Sequence, residues 1–228
     1  MDGQVSMRVS DESSAAVHTA DCAVFGFSQG EMRVLLVHRT AQPFAGQWLL
    51  PGGAMSATET LEETARRVLL ELVGVRDVAL RQVRTYSAPD RHPVRRVITT
   101  SFYALVRPEH HQPVARDYLN QAVWHRLAEL PRLAIDHGKL LTDAHAQLIS
   151  HLRDRPMAFD LLPSTFTLTE AQQLYESILG EALDRRNFRR KLLAYDFLVD
   201  TGEKRAGVQG GPALYRLDTP ALQRQLKL

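Results

Sequence analysis

Trp48-Leu49-Leu50-Pro51-Gly52-Gly53, continued to Val75 by AMSATETLEETARRVLLELVGV, is the stretch on which the fold of this chain turns. Three apolar residues run into Pro-Gly-Gly, the pattern of a short strand stopped by a turn. From about 58 to 73 the apolar residues fall at 61, 65, 68, 69, 72 and 73. That 3.6-residue period predicts an amphipathic helix. Ser56 or Thr58 is available as its N-cap and Gly74 as its C-cap.

Upstream, AVFGF (23–27) and RVLLVHR (33–39) flank Ser28-Gln29-Gly30-Glu31, and β-branched and aromatic residues around turn residues predict a hairpin. Downstream, strands are expected at 78–86, 95–106 and 121–127, the first two joined by SAPDRHP, and a long helix at 135–153. Strands around one well-marked helix give an α/β or α+β domain. Residues 1–19 are small and polar and read as a tail, so the first domain is expected over 20–155.

Past Arg155-Pro156 the composition shifts to short helices, and 156–228 is expected to be a second domain. Thr169-Glu170-Ala171-Gln172 fits a capping box for a helix 169–180 ended by Gly180. A second helix, starting near Asp184, carries Arg185-Arg186-Asn187-Phe188-Arg189-Arg190-Lys191. Two strand-like pieces, FLV and ALYRL, enclose a Gly-rich stretch. Helix, turn, helix, hairpin is the order of a winged helix-turn-helix.

The 228 residues suit one large domain or two small ones, and 44% hydrophobic against 24% charged excludes a disordered chain. The net charge of +2 provides no global field for nucleic acid, so such binding must come from a local cluster. Cys22, the only cysteine, excludes an internal disulfide and has no partners at zinc spacing. The N-terminus lacks the apolar core of a signal peptide, and no run approaches the ~18 apolar residues of a membrane span. A soluble protein of the cytoplasm, without a membrane partner, is expected.

Gly53, Glu59, Arg67, Glu71, Gly74 and Val75 resemble the Nudix box, and WLLPGG resembles the segment that leads into it. The resemblance implies a Nudix-like sandwich. In such a box, magnesium is held by three Glu at i, i+3 and i+4, positions that share one face of a helix. Here they are Val68, Glu71 and Leu72. One carboxylate cannot hold the ion, and Glu59, Glu62 and Glu63 do not refill the vacancies. No metal, no cofactor and no catalytic residue is therefore expected, and Glu59 with Arg67 should keep the family's structural ion pair. What remains is a pocket for a phosphate-containing ligand. Arg39, Gly52, Gly53, Glu71, Arg91 and Arg95 are its candidate residues, with Arg66 and Arg96 nearby; Arg39 and Arg91 are preferred. Taken singly, each arginine is more often a solvated surface charge than a ligand contact.

In the second domain, Phe188, Leu192 and Tyr195 or Phe197 can face inward while Arg185, Arg186, Asn187, Arg189, Arg190 and Lys191 supply contacts to DNA. Lys204 and Arg205, in the loop 202–207, would lie in the wing. A solvated charge run is the plainer alternative; position on the second helix favours DNA. FTLTEAQQLYESILGEALDRRNFRRKLLAYDFL and PALYRL resemble the C-terminal domain of the Nudix-related transcriptional regulators, the NrtR family. Across about 20–220, that resemblance implies a homodimer on palindromic double-stranded operator DNA. Its effector would be a small molecule, ADP-ribose or a related nucleotide or sugar, and the protein a repressor. The alternatives are a Nudix hydrolase with an accessory domain, or a protein-interaction module.

Overall fold

The computed structural model describes residues 16–116, 118–154, 158–206 and 210–226. Most of the expected tail, the break at Arg155-Pro156 and the Gly207 end of the expected wing lie outside the described residues. Strand β1 (Val17–Ser28) and strand β2 (Glu31–Arg39) form the predicted hairpin. β1 begins three residues inside the stretch assigned to the tail. Gln29 and Gly30 make the turn with φ of 56° and 80°, the positive values that match the twist of a two-residue hairpin. β3 (Trp48–Leu49) pairs with β2, and β4 (Gly52–Ala54) pairs with the first half of β1, Asp21 opposite Gly52.

Helix α1 (Leu61–Val73) starts later than its periodicity suggested. Its N-cap is Thr60, in a reciprocal capping box with Glu63, rather than Ser56 or Thr58. Glu59 is thereby left free to face Arg67. Gly74 closes the helix in the left-handed conformation at φ 72°, as predicted. β5 (Arg81–Tyr86), β6 (Val97–Val106) and β7 (Leu119–Arg126) complete a seven-stranded mixed sheet of order β3-β2-β1-β6-β5, with β7 on β2. β1 and β6 run parallel through ten residue pairs.

Both faces of the sheet are covered, which is why β1 and β6 read as almost continuous apolar runs. Cys22, Val24, Leu35 and Phe102 face α1 through Ala65, Val68, Leu69 and Leu72. On the other face Ala23, Phe25 and Leu36 meet helix α2 (His137–Asp154) through Leu140, Ala144 and Leu148. Burial pushes the Cys22 thiol well up, so the lone cysteine is a core residue.

The second domain has the predicted helix–turn–helix–hairpin order. α3 (Leu168–Leu179) is capped by Thr167 with Glu170, not by Thr169 with Gln172. Both pairs fit the motif; the earlier one sets Phe166 and Ala171, both buried, on either side of the cap as a hydrophobic staple. α4 (Arg185–Leu192) is capped by Asp184 and holds the whole cationic run, but it ends three residues before Tyr195, the end expected from its sequence. β8 (Leu198–Lys204) and β9 (Ala213–Leu217) form the hairpin, and α5 (Thr219–Leu226) follows. β8 takes up residues 202–204, so the wing connection begins at Arg205 rather than at Gly202. The α2 core runs on into this domain: Phe159, Phe166, Leu174, Ile178 and Phe197 belong to the same apolar cluster. Among the described residues, no helix is long and apolar enough to cross a membrane.

Candidate functional site

The Nudix-like helix places its two aliphatic replacements inward. Val68 and Leu72 are 2% and 6% exposed, packed between α1 and the sheet. Gly53 is fitted to this packing, because a Cβ there would stand 2.8 Å from a Val68 methyl. Arg67 gathers the remaining charges: its Nε donates to Glu59 at 2.5 Å, its two terminal nitrogens to Glu59, Glu71 and the Ala54 carbonyl. The expected Glu59–Arg67 pair is therefore present. The guanidinium bonds hold the Glu59 carboxyl down at about 2 and raise Arg67 further. Glu71 is exposed and paired with Arg67 at 3.2 Å. Glu63 is spent on the cap. Two of the three positions that hold a metal in a Nudix box thus lack oxygen donors, and the described residues contain no cluster of three or more His, Cys, Asp or Glu able to hold an ion. The residues present do not fit a Nudix metal centre.

Beside the helix lies a cleft of about 260 Å³. Gly52 and Gly53 form one wall, Arg39, Arg91 and Arg95 reach it from separate segments, and Phe44, His92 and Tyr118 stand among them. Of the sequence candidates, Glu71, Arg66 and Arg96 are absent from its lining; Arg66 donates to the Val78 carbonyl and Arg96 to the Ser87 carbonyl instead. The three arginines are held differently. Arg91 is buried and clamped by two hydrogen bonds to the Asp136 carboxylate, at 2.8 and 3.0 Å. Arg39 lies over the Tyr118 ring at 4.3 Å and donates through Nε to the Ala41 carbonyl, which leaves its outer nitrogens for a ligand. Arg95 is exposed at the rim. Burial and then the charges of Arg95, Arg91 and Arg39 hold His92 below its ordinary range. An anion is the ligand this field favours.

Residues the sequence reading passed over form the floor. Asp21 lies within an apolar strand, 6% exposed, and accepts from Thr99 Oγ1 at 2.5 Å. His137, at the start of α2 and 4% exposed, accepts the Leu50 backbone N–H on Nδ1 at 3.0 Å. A charged residue in the middle of AVHTADCAVFGF-type apolar sequence is itself a signal, since a buried carboxylate needs a reason. His137 and Asp136 gave none, because their partners are distant in sequence.

On the second domain, Arg185, Arg186, Asn187, Arg190 and Lys191 are exposed along α4, and Lys204 is exposed at the end of β8. Leu192 is buried and Phe188 packs edge-on against Tyr175 at 5.4 Å, the predicted inward seam. Asp184 caps the helix through the Asn187 N–H, and Arg190 donates to Asn187 Oδ1 at 3.0 Å. Arg189 and Arg205 differ from their neighbours. Arg189 is half-buried and donates to Thr169 Oγ1, while Arg205 pairs with Glu170, the residue that also caps α3. Those two tie the recognition unit together.

Residues 17–144 match the NUDIX domain family, and residues 158–217 match the NrtR DNA-binding winged helix domain. The chain belongs to the NrtR family. Over 202 residues it is 32% identical to an ADPR responsive transcriptional repressor, NtrR, of Acinetobacter baylyi, covering 87% of this chain and 80% of the relative. Its structure resembles that of Shewanella oneidensis NrtR complexed with a 27mer DNA, with TM-score 0.75, 30% identity, and coverage of 90% of this chain and 95% of the other. The NUDIX domain of the same Shewanella protein, solved with ADP ribose, matches with TM-score 0.54 and 30% identity over 60% of this chain and 90% of that one. The first domain also shares 35% identity over 121 residues with an ADP-ribose pyrophosphatase of Methanocaldococcus jannaschii, 53% of this chain and 70% of the relative. This NrtR-family chain therefore combines a Nudix cleft with a winged helix, and departs from the Nudix pattern at Val68 and Leu72.

Proposed function

We propose that this protein is a transcriptional repressor of the cytoplasm that binds operator DNA as a homodimer and changes its grip when ADP-ribose, or a related nucleotide or sugar, fills the Nudix cleft. One observation carries the reading. The chain keeps an arginine-lined cleft while two metal-ligand positions are packed with aliphatic side chains, and it joins that cleft to a helix with five exposed polar and cationic residues in line. A site that binds but lacks its catalytic ion suits sensing. ADP-ribose is the first effector to try, because the Acinetobacter relative is named for responding to it and the Shewanella domain was solved with it. Arg39, Arg91 and Arg95 with the Gly52 and Gly53 backbone would hold the ligand. Arg185, Arg186, Asn187, Arg190, Lys191 and Lys204 would face DNA, with Arg189 and Arg205 holding that surface in place.

The test is titration of a duplex selected from a random library, with and without ADP-ribose. A useful switch requires about 1–3 kcal/mol of coupling, or roughly 5–150-fold in operator affinity. No selected duplex, or affinity indifferent to ADP-ribose, NAD, sugars and sugar phosphates alike, defeats the proposal. The hydrolase reading stands on the pyrophosphatase likeness of the first domain. Turnover of ADP-ribose with Mg²⁺ or Mn²⁺ at a rate within tenfold of an active Nudix enzyme, lost in Glu71→Ala, would restore it.

A further inference from the structure

The floor of the cleft holds two polar atoms that face each other without touching. Asp21 Oδ2 is taken by Thr99, but Oδ1 accepts no hydrogen bond among the described residues. It lies 3.9 Å from His137 Nε2, too far for a direct bond. Since His137 Nδ1 accepts from the Leu50 N–H, the imidazole proton is on Nε2, and the ring is neutral. Burial lowers the affinity of His137 for a second proton, and its place at the positive end of α2 acts the same way. Gly52 completes the arrangement. A Cβ there would stand 1.8 Å from Asp21 Oδ1, so glycine leaves the carboxylate its opening to the cleft.

We infer that Asp21 and His137 form a subsite for one sugar hydroxyl, which accepts from His137 Nε2–H and donates to Asp21 Oδ1. The inference rests on the proposed effector site and names the part of the ligand that its floor reads. An oxygen about 2.8 Å from both atoms fits between them, since ordinary hydrogen-bond lengths span the gap. A phosphate does not fit there: it has no proton to give at neutral pH and would meet the Asp21 charge. Arg95 is exposed and Arg39 half-buried, whereas Arg91 is buried near the floor but committed to Asp136, so the carboxylate and neutral imidazole are the groups there left for a hydroxyl. The cleft volume of about 260 Å³ lies near the lower end of the ~300–1,000 Å³ usual for ligand pockets. The sugar beyond the diphosphate carries hydroxyls that both accept and donate, so it is the part of the ligand matched to His137 and Asp21. Phe44 and His92, whose rings meet edge-on at 5.3 Å, line the same cleft.

The experiment is calorimetric titration of the full-length protein with ADP-ribose and with ADP, which lacks the second ribose, for wild type, Asp21→Asn and His137→Asn. The asparagine at 137 can keep the acceptor for Leu50 N–H while removing Nε2. Wild type should prefer ADP-ribose; Asp21→Asn should cut that preference by about tenfold or more, the range for a hydrogen bond to a charged group, and His137→Asn by about two- to tenfold, the range for a neutral one. A preference unchanged in both variants, or absent from wild type, overturns the subsite. If the preference is present and both variants erase it, yet ADP-ribose leaves operator affinity unaltered, the effector reading fails and the subsite stands.

Discussion

At the residue scale, charge pairs explain most of the departures from simple patterning. Glu59 is held at about 2, against an ordinary glutamate near 4.3, chiefly by hydrogen bonds from Arg67. Its folded-state value is depressed, so its contribution to stability is present above about 4.3 and lost as pH falls toward 2. Glu59→Gln should flatten the acid limb of a plot of thermal midpoint against pH in that window. Parallel limbs for wild type and variant would contradict the assignment. Arg91 and Asp136 differ in exposure, with side chains 3% and 24% exposed. Removing Asp136 strands a buried guanidinium, whereas removing Arg91 leaves a carboxylate that water can reach. Asp136→Ala should therefore cost about 3–5 kcal/mol in urea unfolding and Arg91→Met clearly less. Equal losses would mean that packing, not charge, sets the cost.

Helix α4 is where the element scale matters. Eight residues with five cations make a poor autonomous helix, and the Asp184 cap, the Leu192 anchor and the Phe188–Tyr175 contact hold it in place. Its exposed face divides by reach. Arg190 and Lys191 lie in the last turn, where long cations suit phosphates. Arg186 and Asn187 lie in the first turn, the part of a recognition helix that meets base edges. Arg190→Ala and Lys191→Ala should weaken all duplexes alike and reduce the salt slope by about 1 each. Arg186→Ala or Asn187→Ala should cost about 1–3 kcal/mol on the selected operator and little elsewhere. Anisotropy titrations on selected and scrambled duplexes separate these outcomes. Unchanged affinity in both phosphate-site variants would move the interface off α4.

For the whole molecule, helix α2 links the two halves. Its first turn is gripped by the cleft, through Arg91–Asp136 and Leu50–His137, and further along His145 Nε2 meets the Ile178 carbonyl of α3 at 2.9 Å. A carbonyl only accepts, so His145 donates there. Met32 N–H adds a 2.6 Å bond to Ser177 Oγ beside it. Beside these two bonds lies a cavity of about 840 Å³, lined by Leu127, Leu141, His145 and Ser177, and a shift of α3 there is the movement by which the proposed effector would act on the winged helix. A ligand moves such an equilibrium only by binding one arrangement more tightly. His145→Ala should therefore shrink the effect of ADP-ribose on operator affinity to below about threefold, out of the usual 5–150-fold range, with ADP-ribose affinity nearly kept. A full response in that variant would place the coupling elsewhere. In the proposed homodimer, two winged helices on one operator should neutralise roughly 6–10 phosphates, so log affinity should fall with log salt at a slope of about −5 to −9.

What the sequence by itself determined was local and periodic. The hairpin turn, the α1 period from 61 to 73, the glycine caps at 74 and 180, the vacated positions 68 and 72, and the cationic α4 each depend on residues a few places apart. Even there it misplaced two N-caps, because Ser56, Thr58, Thr60, Thr167 and Thr169 offer similar hydroxyls and only side-chain packing selects among them. Tertiary structure decided which charges are free. Arg189 and Arg205 belong to the same basic run and wing as their neighbours, yet Thr169 and Glu170 claim them. It also made the cleft floor: β1 brings Asp21 and α2 brings His137 to one point beneath Gly52. Contacts between residues so far apart depend on how the sheet twists and where α2 docks. No local pattern encodes them, because the energy that sets the docking is spread over the whole buried core.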